Sequence, residues 1–99
     1  MTRSFVLGDI LQLGRTSSAE LQLWLDAADA KLAERVRTES ARRGESAAQF
    51  LRIAVADFLA EADEESWADM LSAARDAADP GAACVGKMTA FRIRLEAVA

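Results

Sequence analysis

Arg42-Arg43-Gly44-Glu45-Ser46-Ala47-Ala48-Gln49-Phe50-Leu51-Arg52-Ile53-Ala54-Val55-Ala56-Asp57-Phe58-Leu59 is the stretch on which the fold turns. Gly44 follows two arginines, so it suits the left-handed conformation that closes a helix, and the arginines lie where the negative end of the helix dipole favours cations. Ser46 and Gln49 have the spacing of a capping box, in which each side chain bonds a backbone N–H left free at a helix start. Phe50, Leu51, Ala54, Val55, Phe58, Leu59 and Ala62 then recur at three- and four-residue intervals as one wide apolar stripe. The stretch predicts a helix that ends, a tight turn, and a second helix with a face to bury.

Composition narrows the setting. A chain of 99 residues allows one domain, with a core adequate for an obligate dimer and modest for a monomer. Its hydrophobic fraction is 52%, much of it alanine, and 28% is charged with a single proline, which indicates a helix-rich globular chain instead of a disordered one. With no histidine and only Cys84, the commonest metal ligand and most nucleophile and base pairings are missing, so neither enzyme activity nor a metal or cofactor is expected. A lone cysteine cannot close a disulfide within the chain, and it fits a reducing compartment. No apolar run is long enough to cross a membrane, and the N-terminus lacks the long apolar core and cleavage site of a secretory signal. The expectation is a cytoplasmic protein with no membrane partner.

The net charge of −4 is unevenly spread. Residues 1–19 carry +1, and residues 20–62, with six bases against eight acids, carry −2. Residues 63–80 hold six acids against Arg75 and carry −5, while residues 81–99 carry +2. Such a balance argues against nucleic-acid binding unless a dimer gathers its arginines on one face.

In chain order, residues 1–19 make an N-terminal arm whose apolar residues, Phe5 to Leu7, Ile10, Leu11 and Leu13, need cover from the body or from a partner. Residues 20–26 alternate strictly, Leu21, Leu23 and Leu25 on one face and Glu20, Gln22 and Trp24 on the other, which predicts a short strand. Asp26 then caps a helix from about Ala27 to Arg43, with Ala28, Leu32, Val36 and Ser40 inward. A second reading stays open: Ser17 and Glu20 also fit a capping box, and Leu21, Leu25, Ala28, Leu32 and Val36 are spaced for one long helix. Further on, Asp63-Glu64-Glu65-Ser66 starts a helix with Trp67, Met70, Leu71, Ala74 and Ala78 as its apolar stripe. Asp79-Pro80-Gly81 signals a turn, and Phe91 to Glu96 alternates apolar with charged residues, as a second strand would, with a helix as the alternative.

A short alternating strand, a helix, a Gly-x-Ser turn and a helix opening with Phe-Leu-Arg-x-Ala-Val-x-x-Phe-Leu resemble the ribbon-helix-helix family of small dimeric DNA-binding regulators and antitoxins. The resemblance covers about residues 20–60 and is best from Gly44 to Leu59. It implies a mainly α homodimer with a short β-strand, in which two chains pair strands into a ribbon that enters the DNA major groove. The base-facing residues would be Glu20, Gln22 and Trp24, with Gln22 suited to adenine edges. Phosphate would rest at the start of the second helix, against Arg42, Arg43, Glu45, Ser46 and Ala47. The dimer core would take Leu21, Leu23, Leu25, Phe50, Ala54 and Phe58.

Three segments follow: the arm at 1–19, a ribbon-helix-helix-like unit at 20–62, and a C-terminal extension at 63–99 made of a helix and a further strand or helix. The extension offers Trp67, Met70, Leu71, Phe91 and Ile93 to a protein partner, as tails of antitoxins do in the resembled family. The leading functional expectation is a homodimeric regulator of transcription bound to double-stranded DNA, an antitoxin-like autorepressor. The alternative is an acidic helical protein-interaction module or inhibitor that does not bind DNA.

Overall fold

A computed structural model describes residues 17–98; the expected arm therefore lies outside the described residues except at its last three positions. The described residues form five helices and no strand: α1 (Ser18–Ala28), α2 (Ala30–Arg42), α3 (Ala47–Glu61), α4 (Glu64–Asp76) and α5 (Pro80–Ala97).

Each helix starts on a side chain that satisfies a free backbone donor. Ser17 Oγ accepts from Glu20 N at 3.2 Å, Asp29 from Leu32 N at 3.1 Å and Ser46 from Gln49 N at 3.1 Å. Asp63 accepts from Ser66 N at 2.8 Å and Asp79 from Ala82 N at 3.1 Å, with Pro80 at the first helical position, where its missing N–H costs nothing. At the turn between α2 and α3, Gly44 takes φ +67°, Glu45 N donates to Ser40 O at 2.9 Å and Gly44 N to Ala41 O at 3.1 Å. That pair of bonds is a Schellman closure, and it needs a residue without a Cβ penalty at Gly44.

The strand expected at 20–26 is instead α1. Helical geometry puts Leu21 and Leu25, four residues apart, in the core, and turns Leu23 outward, where it is 71% exposed. A lone strand would leave its backbone donors and acceptors without a pairing partner, whereas the Ser17-capped helix satisfies them locally and buries both leucines. The helix does not run on to Arg43. Asp29 adopts extended backbone (φ −159°, ψ 96°), ends α1 and caps α2, so the cap lies three residues beyond Asp26. The alternation at 91–96 also lies in a helix, the last part of α5.

These corrections remove the ribbon-helix-helix fold, which requires a strand from each chain. They also change what covers the second helix. In a ribbon-helix-helix dimer a partner chain covers that helix, but here the apolar face of α3 is covered by its own chain. Its N-terminal half joins Leu21, Leu25, Leu32, Val36 and Val85 in one core cluster; its C-terminal half joins Met70, Ala74, Cys84 and Met88 in another. Of the residues assigned to a dimer core, Leu21, Leu25, Phe50, Ala54 and Phe58 are buried within the single chain, and Leu23 is not. α3 is thus the shared wall between an α1–α2 half and an α4–α5 half.

Gly44→Ala tests the turn. A Cβ there would meet nothing within 4 Å, so the loss is backbone strain alone. Urea unfolding is expected to show a decrease of about 1 kcal/mol with unchanged cooperativity.

Candidate functional site

Two assemblies of polar side chains stand out, one structural and one open to solvent. The first centres on Arg92, which is 3% exposed on α5. Its Nη1 and Nη2 donate to the two oxygens of Glu45 at 2.8 and 2.9 Å, Nη1 also donates to Phe50 O at 3.1 Å, and Nε donates to Glu96 at 3.2 Å. The guanidinium lies 4.6 Å from the centre of the Phe50 ring, and that of Arg43 lies 5.3 Å from the same ring. Arg43 in turn holds Glu96, the Glu39 carboxylate at 2.7 Å and the Glu39 carbonyl at 2.8 Å. A planar fork fits this bidentate, stacked site, and a lysine ammonium would not.

The network sets the acidity of its carboxyls. Hydrogen bonds from Arg92 hold Glu45 below the ordinary glutamate range, and those from Arg43 do the same for Glu96 and Glu39. Asp57 on α3 moves the other way, because burial penalises its charge more than Arg92 relieves it. Burial pushes the Cys84 thiol up to about 11, so it is a packing residue at neutral pH.

The same network occupies the residues expected to meet phosphate. Arg42 pairs with Glu39 at 2.9 Å, Arg43 is held as above, and Glu45 accepts from Arg92. Ser46 spends its hydroxyl on the cap, Ala47 is buried, and the amide of Ala48 at the start of α3 donates to Ser18 Oγ at 3.0 Å. The expected base readers do not share a face. Two residues along a helix is about 200° of turn, so Gln22 lies on the far side of α1 from Glu20. Glu20 is exposed; Trp24 is half-buried against the first core cluster, close enough to Gly81 that a Cβ there would sit 3.2 Å from its ring; and the shielded Gln22 amide has no hydrogen-bond partner among the described residues.

The second assembly is a groove of about 830 Å³ between α4 and α5. The short Ala77–Asp79 link makes the two helices antiparallel neighbours, and a bridge from Lys87 Nζ to Asp69 Oδ2 at 2.8 Å crosses between them. Glu65, Asp69 and Ser72 form its α4 edge and Lys87, Phe91 and Arg94 its α5 edge, each set at i, i+4 and i+7. Ala68 and Ala90 keep the space open, and Phe58 forms the floor, edge-on to Trp67 at 4.9 Å and to Phe91 at 5.1 Å. Among the described residues no three of His, Cys, Asp and Glu are grouped to hold a metal. The groove offers an aromatic floor and charged edges, which suit binding.

Of the partner-binding candidates, Phe91 lines this groove and Trp67 packs beneath it; Met70 is buried, Leu71 is 55% exposed, and Ile93 is half-buried. Sequence reasoning missed Glu65, Asp69, Lys87 and Arg94. The signal was the i, i+4, i+7 spacing of Glu65, Asp69 and Ser72 and of Lys87, Phe91 and Arg94 on two consecutive helices, the second hidden by reading 91–96 as a strand. No family model, curated protein or solved structure matches the chain.

The pH dependence of stability follows from the network. Three carboxyls with lowered folded-state pKa stabilise the fold above the ordinary glutamate pKa of about 4.3, and that contribution is lost as pH falls through their folded-state values. Asp57 has the opposite sign, so Asp57→Asn is expected to hold or raise the neutral-pH melting temperature. Glu45→Ala is expected to cost about 3 kcal/mol at pH 7 by stranding a buried guanidinium, and to flatten the acid limb of a plot of unfolding free energy against pH.

Proposed function

We propose that the chain is a helical protein-interaction module whose docking site is the α4–α5 groove. The observation that carries this reading is the groove itself, an aromatic base of half-buried Phe91 on the core residue Phe58, flanked by two helix edges whose charged side chains face solvent. Binding grooves of this kind place a few polar groups around an apolar base.

Two further observations favour protein over nucleic acid. Arg43 and Arg92, the two arginines beside the start of α3, are shielded and bonded to carboxylates, and releasing either to a phosphate would strand a partner acid. The groove-bearing segment 63–99 carries −3, a field that repels a polyanion. A DNA-binding regulator would need a reading element other than the ribbon, and no observation singles one out.

Photo-crosslinking in native extract tests the proposal. A benzophenone side chain at Ala68 or Ser72 is expected to yield protein adducts, while the same group at exposed Leu23, on α1, yields none. Fluorescence anisotropy against the promoter duplex of its own gene is expected to show no salt-sensitive binding. Salt-sensitive DNA binding, or adducts from Leu23 and none from the groove, would overturn the reading; adducts with a second copy alone would assign the groove to self-association.

A further inference from the structure

We infer that the groove receives an amphipathic helix from a partner protein, with apolar side chains against Phe91 and lysines or arginines against the α4 edge. The inference rests on the docking reading above and names the chemistry of the occupant.

Shape is the first argument. Both edges are helical stripes spanning i to i+7, a run of about 10 Å. Ala68 and Ser72 on one side and Ala90 on the other are small, so a third helix can settle at the close spacing that helix packing requires. An extended peptide would instead need a sheet edge to bond its backbone, and the described residues contain no strand. A helix satisfies its own backbone and needs only a groove for its apolar face.

Charge is the second argument. The basic edge is partly spent, because Lys87 is bridged to Asp69. The same bridge occupies Asp69, which leaves Glu65, exposed and with no ion-pair partner among the described residues, and Asp63 as the other acids of the lining. What the groove presents to an incoming helix is therefore Asp63 and Glu65 against Arg94, an excess of one negative charge that lies on the α4 edge. A basic flank is steered in and an acidic one repelled.

A second copy fits less well. It would bring another acidic α4, and its exposed basic residues on α2, Lys31, Arg35 and Arg42, lie on a helix whose large apolar residues, Leu32 and Val36, are buried.

The test uses the full ¹⁵N-labelled chain and two model peptides, acetylated and amidated, of leucine and lysine at three- and four-residue spacing or of leucine and glutamate in the same pattern. At physiological salt the leucine–lysine peptide is expected to shift amides of α4 and α5 along the groove and to bind at least tenfold more tightly than the leucine–glutamate peptide. Glu65→Lys and Ala68→Trp are each expected to weaken it about tenfold, the first by reversing the edge charge and the second by filling the space; Leu23→Ser leaves it unchanged. Circular dichroism melts verify that each variant is folded. Equal binding of both peptides, shifts that map to α1 or α2, or an unaltered affinity for Glu65→Lys would overturn the inference. If the groove crosslinks protein while the lysine peptide fails, docking stands and the basic helix falls; if neither occurs, the docking reading itself fails.

Discussion

The burial of the Arg92 guanidinium is the constraint on which the rest of the structure depends. Removing such a cation from water costs several kcal/mol, and the cost is met only where good geometry satisfies its donors. Here the donors reach three places: Glu45 in the α2–α3 turn, the Phe50 carbonyl in the first turn of α3, and Glu96 one turn on along α5. The bonds to Glu45 and Phe50 span 47 and 42 residues of chain. α5 therefore cannot slide along α3 or rotate about its own axis without stranding a buried charge. A hydrophobic contact tolerates small shifts, but a bidentate pair does not. The apolar clusters supply most of the attraction, while Arg92 selects one arrangement among the many they would accept.

That division explains which parts of the fold were legible in the sequence. The α2–α3 turn was legible because everything that makes it is local in sequence: a glycine at positive φ, a serine cap two residues on, and the apolar stripe that follows. Leu32, Val36 and Ser40 were legible as inward positions for the same reason, since helical spacing alone places them. At residues 20–26 two local patterns competed. The alternation of three leucines was genuine, but a strand needs a second strand and a helix needs only its cap. Ser17 decided the matter, and the exposure of Leu23 is the residue of the rejected pattern.

Arg92 illustrates a different limit. In the one-dimensional pattern of Phe91 to Glu96 it reads as a solvent-facing charge, because arginine is rarely buried and its partner is nearly half the chain away. Glu45 carries the matching ambiguity: beside a helix N-terminus it looks like a surface acid in the way of a phosphate. Neither residue announces the other. The same pairing extends to the start of the second helix, where Glu39, Glu96 and Ser18 answer groups that looked available when only neighbours in sequence were considered.

The groove inherits its shape from this constraint. Lys87, Phe91 and Arg94 lie about 130° around α5 from Arg92 on average, so once Arg92 is turned inward, that stripe faces α4. On the other side Met70 and Ala74 bury the inner face of α4, which leaves Glu65, Asp69 and Ser72 beside the gap. The small residues along it leave a furrow above the covered Phe58 ring, and the Lys87–Asp69 bridge spans that furrow without filling it. A bridge this exposed contributes little to stability, so it does not bar an incoming charge from exchanging with it. Rigidity at Arg92 and openness at the groove are thus two faces of one helix, and a ligand there would meet a surface whose geometry is set before it arrives.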